Sequence, residues 1–477
     1  MKNLSIAFFL VLSIDQLQAQ SVFSRTYGAP EDFNQGAAAA ETLDGGYLLA
    51  GSTGGWGSVN GDMAIIKTDS LGNQEWVKLY GSAYTEQAVS LLRLNDGTFL
   101  LIGNTNENEG DYDAVIYKIN TLGDTLLSRR IGTSAWDFVK DVAEFPNGEI
   151  ALLLQSYASP FPNGGMLVVQ MDANGNETER FALQVNDQQT AGGLFAETDS
   201  TLMVCGGIWN TEENNSDMYV ARFSKIGDVL WADTVASSFN ETFNSICAGP
   251  NNSFLVCGTM ITNDTISKGK LFRYGSDGTP SNTFFSADDP FRFDFRDVAY
   301  NPINQTVFLG THYNGGGFEQ ATCYILTENF SYAGGLIGPG LFTTALGSVL
   351  NTDKYHVFCG TSEEFTPGQT SMFLKKCDAL SGQCAEWQTG IADFIGSDDL
   401  PQIFPNPGNG SFFLQNFELY DVISALDMTG RGLNFTINTS LRPCELQIER
   451  NGYKGLLLVN LQHQKTRKPL ALKIMLH

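Results

Sequence analysis

Seven times along the chain a turn residue is followed by an apolar strand that closes on a small residue. The series runs Asp44-Gly-Gly-Tyr-Leu-Leu-Ala-Gly, Asp96-Gly-Thr-Phe-Leu-Leu-Ile-Gly and Asn147-Gly-Glu-Ile-Ala-Leu-Leu. It continues from Asp199, Asn251, Asn304 and Asp353, with steps of 49 to 53 residues. A second piece follows at constant offset, clearest at Asp62-Met-Ala-Ile-Ile-Lys67, Asp113-Ala-Val-Ile-Tyr-Lys118 and Asp217-Met-Tyr-Val-Ala-Arg222. A third, a turn leading into an outer strand, reads Leu71-Gly-Asn-Gln-Glu-Trp76 and Ile226-Gly-Asp-Val-Leu-Trp231. Each unit therefore offers four short strands separated by Gly/Asn/Asp turns, the chemistry of tight antiparallel hairpins. One such sheet cannot bury both of its faces, whereas radial packing lets each neighbour cover the next. The period predicts an all-β chain, a seven-bladed β-propeller over residues 20–391, with a right-handed solenoid of hairpins as the runner-up. Val22-Phe-Ser-Arg-Thr-Tyr27-Gly28 matches the outer strands at Trp76–Gly81 and Arg130–Gly132, and is expected to close the ring beside Ala385–Gly390.

The flanks are of other kinds. Met1-Lys2-Asn3, an apolar run from Leu4 to Ile14 and a polar stretch with Ala19 form a secretory signal over residues 1–19, cut near Ala19. The run falls short of the ~20 apolar residues that span a bilayer, and no comparable run recurs, so no transmembrane segment is expected. At the other end, residues 431–477 carry eight of the 28 Lys and Arg but two of the 52 Asp and Glu. That charge break marks a separate module over 401–477, joined by a linker at 392–400. The net charge of −24 argues against nucleic acid and against an anionic membrane surface as partners.

This last module opens with Phe404-Pro405-Asn406-Pro407-Gly408-Asn409-Gly410 and continues with Asp427-Met-Thr-Gly430-Arg431, then Lys473 near the terminus. It resembles the type A C-terminal sorting domain of the type IX secretion system of Bacteroidetes. The resemblance implies a small β-sandwich read by the outer-membrane secretion machinery, with the cargo secreted, extracellular or attached to the cell surface. Gly455-Leu456-Leu457 and Cys444 depart from the family pattern. The repeats lack the Gly-His and Trp-Asp pairs of WD40 units and the Gly-Gly doublet of kelch, and resemble the long-repeat secreted propellers of Bacteroidetes.

Ten positions before each turn lies the start of the innermost strand, where Asn34, Glu86, Asp137, Gln189, Glu241, Asp294 and Thr343 form a polar ring at the channel mouth. Clustered oxygens suit a hard cation or a glycan hydroxyl; bonding of each side chain to the neighbouring blade's backbone is the structural alternative and the favoured one. The loop with Asn106, Glu107, Glu109, Asp111 and Asp113 has oxygens for Ca²⁺ without EF-hand spacing, so no cofactor is expected beyond a weak Ca²⁺ option. Trp56, Tyr84, Trp136 and Trp209 near the variable loops are candidates for stacking on sugar rings, with blade-edge packing as the competing role. Of eight Cys, the pairs Cys247/Cys257 and Cys377/Cys384 flank turns and are candidate disulfides, while Cys205, Cys257 and Cys359 share one apolar repeat position. Four His and the lack of a Gly-x-Ser-x-Gly elbow, a phosphate loop or a His-Glu-x-x-His motif leave catalysis without a signature.

The leading expectation is a non-enzymatic scaffold that binds a glycan or protein through loops on one face. A polysaccharide-active enzyme with carboxylates from several blades, or a structural part of an extracellular matrix or gliding apparatus, are the alternatives.

Overall fold

The computed structural model divides into two compact units, Met1–Ala392 and Asp393–His477. In the first it describes residues 22–28, 33–58, 60–108, 111–158, 163–183, 188–263, 266–286, 292–315, 318–337, 345–351, 355–362 and 370–378. In the second it describes 402–404, 411–415, 420–427, 432–438, 444–448, 455–463 and 469–476.

The chain enters on β1 (Phe23–Tyr27) and then builds four-stranded antiparallel sheets in sequence order. The first holds β2 (Asn34–Glu41), β3 (Tyr47–Thr53), β4 (Asp62–Thr68) and β5 (Gln74–Tyr80). The second holds β6 (Glu86–Arg93), β7 (Phe99–Asn108), β8 (Asp111–Ile119) and β9 (Thr125–Ile131). The third holds β10 (Asp137–Glu144), β11 (Ile150–Ser156), β12 (Gly165–Met171) and β13 (Glu177–Ala182). The fourth holds β14 (Gln189–Thr198), β15 (Thr201–Asn210), β16 (Asn215–Ser224) and β17 (Val229–Val235). The fifth holds β18 (Asn240–Ala248), β19 (Phe254–Asn263), β20 (Ile266–Tyr274) and β21 (Pro280–Phe285). The sixth, joined to the fifth by a single parallel bridge from Ser267 to Arg292, holds β22 (Arg292–Asn301), β23 (Thr306–Gly315), β24 (Phe318–Thr327) and β25 (Tyr332–Ile337). The last holds β26 (Ala345–Asn351), β27 (Tyr355–Ser362) and β28 (Ser371–Asp378), and its fourth strand is β1.

Local chemistry sets the strand ends. Gly97 takes φ 83° in the turn between β6 and β7, a left-handed conformation that suits glycine. Its N–H reaches Leu94 O at 2.9 Å, and Asp96 Oδ1 accepts the Thr98 N–H at 2.9 Å. The small residue that closes each apolar run is needed for closeness: a Cβ at Gly103 would stand 2.2 Å from the Gln87 carbonyl oxygen.

The two middle strands are buried on both sides, wholly so in β3, β4, β11 and β12, whereas the outer strand β13 is exposed to half-buried. That is why the sequence shows continuous apolar runs rather than alternation. Between each pair of neighbouring sheets lies one apolar cluster, as where Leu48, Ala50 and Ile65 meet Leu91 and Leu101. The same holds at every junction, including Leu49 and Ile66 against Val357 and Leu374 between the last sheet and the first. Each first strand packs on the next, and β26 touches both β22 and β2, so the sheets return on themselves as a β-propeller and not as a solenoid.

Closure uses β1 as expected, but its partner is β28, with Phe23 opposite Lys376 and Tyr27 opposite Met372; Ala385–Gly390 lies outside the described residues. Lys376 Nζ sits 3.9 Å from the Tyr355 ring centroid, 5.4 Å from that of Tyr47 and 5.9 Å from that of Phe23. A charge held among three rings at the seam rewards the pairing of β1 with β28.

The candidate bridge between Cys247 and Cys257 is not formed, and both are free thiols. The hairpin turn pairs Ala248 with Phe254, which sets Cys247 opposite Leu255 and Cys257 opposite Ser245, so the two cysteines lie on a diagonal instead of facing. Cys205 and Cys323 are also free thiols, and both are buried, as is Cys359. Burial pushes the Cys205 and Cys257 thiols far above the ordinary range, which leaves them inert apolar fillers. Cys377 is disulfide-bonded; Cys384 lies outside the described residues.

The second unit contributes two four-stranded antiparallel sheets. One is built from Gln402–Phe404, Ser411–Gln415, Cys444–Ile448 and Phe435–Asn438, the other from Gly432–Leu433, Tyr420–Asp427, Gly455–His463 and Pro469–Leu476.

Phe23→Ala should cost about 3–4 kcal/mol in denaturant unfolding of the chain from residue 20, the usual toll of removing a buried ring. A cost below about 1 kcal/mol would mean that β1 contributes little to closure.

Candidate functional site

Strands alternate in direction, so the starts of the innermost strands and the loops after each second strand share one face of the ring. The polar residues expected at the channel mouth lie there, but folded inward. Asn34, Glu86, Asp137 and Gln189 are the first residues of β2, β6, β10 and β14; Glu241 and Asp294 lie in β18 and β22. All six are buried, and Thr343 lies outside the described residues.

Their bonds are of several kinds. Gln189 reaches the previous sheet, accepting from Met166 N at 3.1 Å and donating to Leu183 O at 2.8 Å. Asn34 Nδ2 donates to Thr370 O at 3.0 Å across the seam, and its Oδ1 accepts from Thr53 Oγ1 at 2.8 Å. Glu86 accepts from Thr105 Oγ1 within its own sheet and from Ser82 in the connecting loop. Asp137 accepts from the backbone and hydroxyl of Thr133, both at 2.6 Å. Glu241 pairs with Lys270 in a buried ion pair, and Asp294 binds Ser267 and Arg296.

A more regular bond between sheets lies elsewhere. All seven innermost strands slip by one residue at the same level, between Gly36 and Ala38, Ala88 and Ser90, Val139 and Asp141, and so around the ring. At four of these bulges a backbone N–H is met by the polar side chain that ends the apolar run of the previous sheet. Ser52 accepts from Ala88 N at 2.9 Å, Asn104 from Val139 N at 2.8 Å, Gln155 from Ala191 N at 2.8 Å and Thr361 from Gly36 N at 3.1 Å. The sequence signal was present as a polar residue at the end of each of these apolar runs, but the bulge that gives it meaning was not.

Two carboxylates missed by sequence reasoning sit at the bulges. Asp141 accepts from Leu194 N of the next sheet at 2.7 Å and from Val142 N at 2.8 Å. Asp297 accepts from Val349 N at 2.9 Å and Ser245 Oγ at 2.7 Å. Burial raises both carboxyls, that of Asp141 to about 7, with the Asp297 charge adding to the rise. The two are thus within electrostatic reach, yet each is tied to neighbouring backbone, which is the geometry of a tether.

Of the aromatic candidates, Trp56 is half-buried against the first-to-last sheet cluster, Tyr84 is 39% exposed and Trp209 is half-buried at the end of β15. Trp136, 49% exposed, belongs to a cluster of four rings. Tyr112 and Phe138 lie 5.0 Å apart, Trp136 stands edge-on to Tyr112 at 5.9 Å and to Phe138 at 6.1 Å, and Tyr157 is edge-on to Phe138 at 6.4 Å. Tyr157, 40% exposed, donates its N–H to Trp136 O at 2.9 Å, which fixes two exposed rings side by side. Tyr112, Phe138 and Tyr157 were missed because they come from different sheets or strands; the spacing of Trp136 and Phe138, two apart on one strand face, was the legible part.

Below the rings Asp113 pairs with Arg130 Nε at 2.6 Å, and burial raises its carboxyl, against Arg130 and with help from Asp111 and Asp137. Among the described residues no group of three or more His, Cys, Asp or Glu is arranged to hold a metal; the side chains of Glu107 and Glu109 lie outside the described set.

Comparison with known proteins adds fold alone. No family model and no curated protein matches the chain. A solved puromycin hydrolase shares 11% identity at TM-score 0.51 over 84% of this chain and 58% of its own. A protein of unknown function from Dyadobacter fermentans matches at 12% identity and TM-score 0.44, over 61% of this chain and 94% of its own. The β-propeller domain of the trilobed protease from Pyrococcus furiosus, described as having an open velcro topology, matches at 10% identity and TM-score 0.43, over 74% of this chain and all of its own.

Asp141→Asn tests the tether through pH. The native carboxyl holds its proton up to about pH 7 and the unfolded one releases it near 3.8, so the folded state binds more protons in between. Wild-type stability should fall from about pH 4 to 7 relative to the Asn variant, read by thermal melts across that range; parallel curves would remove the assignment.

Proposed function

We propose that the chain is an exported seven-bladed β-propeller that binds a glycan through the loop-bearing face of its ring, with a protein ligand as the alternative occupant. The observation that carries the reading is the cluster of Tyr112, Trp136, Phe138 and Tyr157, whose outer two rings are open to solvent on that face. Exposed aromatics held rigid by their neighbours lose little entropy on contact, and their flat apolar faces match the C–H faces of sugar rings. Binding by a few such anchors on a stiff scaffold needs no catalytic group.

Export through the type IX route rests on the Pro405-Asn406-Pro407 opening, the Asp427 to Arg431 segment and Lys473, together with the charge break at that boundary. Two four-stranded sheets in the second unit are compatible with a β-sandwich sorting domain. Asp427 ends one strand and Lys473 lies in another, while Pro405, Asn406, Pro407, Asn409, Gly410, Gly430 and Arg431 lie outside the described residues. The partner would be the secretion machinery, and the location the cell surface or the medium.

Glycan-array binding of residues 20–391 should fall at least about ten-fold, some 1.4 kcal/mol, in a Trp136→Ala/Tyr157→Ala variant that melts as the wild type does. Undiminished array binding by that variant would sink the reading. In a host with type IX secretion, a chain lacking residues 401–477 should accumulate in the periplasm, and normal appearance in the medium would refute the export route.

A further inference from the structure

On the opposite face of the ring the last turn of each of the first five sheets tucks against the outer strand of the sheet before it. The turn carries a left-handed glycine, and at four junctions this glycine meets an aromatic ring. A Cβ at Gly72 would come within 2.5 Å of Phe23, at Gly123 within 2.7 Å of Trp76, at Gly227 within 2.8 Å of Phe181 and at Gly278 within 2.6 Å of Trp231. Between the second and third sheets the corresponding Gly175 meets Leu127 instead, 2.4 Å from Cδ2.

A cavity of about 330 Å³ opens at that junction, with Leu127 and Gly175 in its wall. Leu100, Ile116, Ile150 and Met171 line its apolar part. Its size falls within the ~300–1,000 Å³ typical of small-molecule pockets. The missing ring thus explains both the position and the apolar character of the space.

The charged rim is unevenly committed. Lys118 is paired with Asp96 at 2.8 Å, Asp172 accepts three bonds from Asn174 and Asn176, and Glu144 Oε2 accepts from Asn95 N at 2.7 Å. Arg129 also borders the cavity and is exposed; among the described residues its guanidinium donates to Ser128 O at 2.9 Å and makes no ion pair. Most of its planar fork is therefore open to a carboxylate.

We propose that this pocket binds a small aromatic carboxylate, its ring filling the space that Phe or Trp fills at four other junctions and its carboxylate pairing with Arg129. The site lies on the face away from the aromatic cluster and stands independently of it.

Calorimetric titration of residues 20–391 with 3-phenylpropionate should give a Kd on the order of 1 mM, as expected for eleven heavy atoms. The matched amine, 2-phenylethylamine, should bind at least about five-fold more weakly. Leu127→Trp should abolish binding while the melting temperature holds or rises, which separates a filled pocket from a damaged fold. Arg129→Gln should weaken the carboxylate about five-fold and leave the amine unchanged. No heat with the carboxylate at ten times the expected Kd, tighter binding of the amine, or unchanged binding by Leu127→Trp would each overturn the proposal.

Discussion

A four-stranded sheet whose middle strands are apolar on both faces has no stable existence by itself, and this constraint governs the first unit. Each face must be covered, and the only cover of matching shape is another such sheet. A row of sheets would still leave two faces bare, so the row bends until Val357 and Leu374 meet Leu49 and Ile66. The seam then joins the first and last described strands of this unit, and β1 gives the last sheet its fourth strand. Apolar packing alone would let such sheets slide. The side-chain bonds from Ser52, Asn104, Gln155 and Thr361 to backbone N–H groups at the bulges fix level and angle at the inner edge.

The legibility of the sequence follows from what is local and what is not. Turn chemistry is local: an Asp-Gly or Asn-Gly pair announces a left-handed residue, and Gly45, Gly97 and Gly148 all have positive φ. Apolar runs bounded by such turns fix the strands, and their spacing fixes the number of strands in each unit. The match of Val22–Gly28 to other outer strands revealed that it joins the last sheet, where it pairs with β28. Cross-strand register is not local. The turn that pairs Ala248 with Phe254 leaves Cys257 opposite Ser245, two residues from Cys247, and no pattern in the sequence marks that register.

The polar ring shows the same division. Six of its positions lie at or near the starts of inner strands, because distance from a turn is a matter of counting. Its chemistry was not readable, because the partner a side chain finds at that point depends on which residues the neighbouring sheet and loop bring to it. Hence Gln189 binds across to Met166 and Leu183 while Glu86 binds within its own sheet and loop. Asp141 and Asp297 carried no signal at all. Only the three-dimensional neighbourhood shows a carboxylate meeting the N–H of Leu194 or Val349.

In a molecule made of near-copies, features present in every copy hold the copies together, and function is to be sought where one copy differs. The backbone bond between the residue before the inner strand and the residue after the second strand recurs as Phe33 with Gly54, Thr85 with Asn106, Trp136 with Tyr157 and Gln188 with Trp209. Only the third of these pairs sets two rings together, and it is there that Tyr112 and Phe138 add two more. The opposite face breaks its own rule between the second and third sheets, where Leu127 stands in for a ring. Both departures involve the third sheet. Neither is required by the packing, since the neighbouring junctions achieve the same burial with the common residue. A substitution that leaves apolar surface open or a cavity unfilled costs stability, so these are the two places where contact with something outside the chain would offset such a cost.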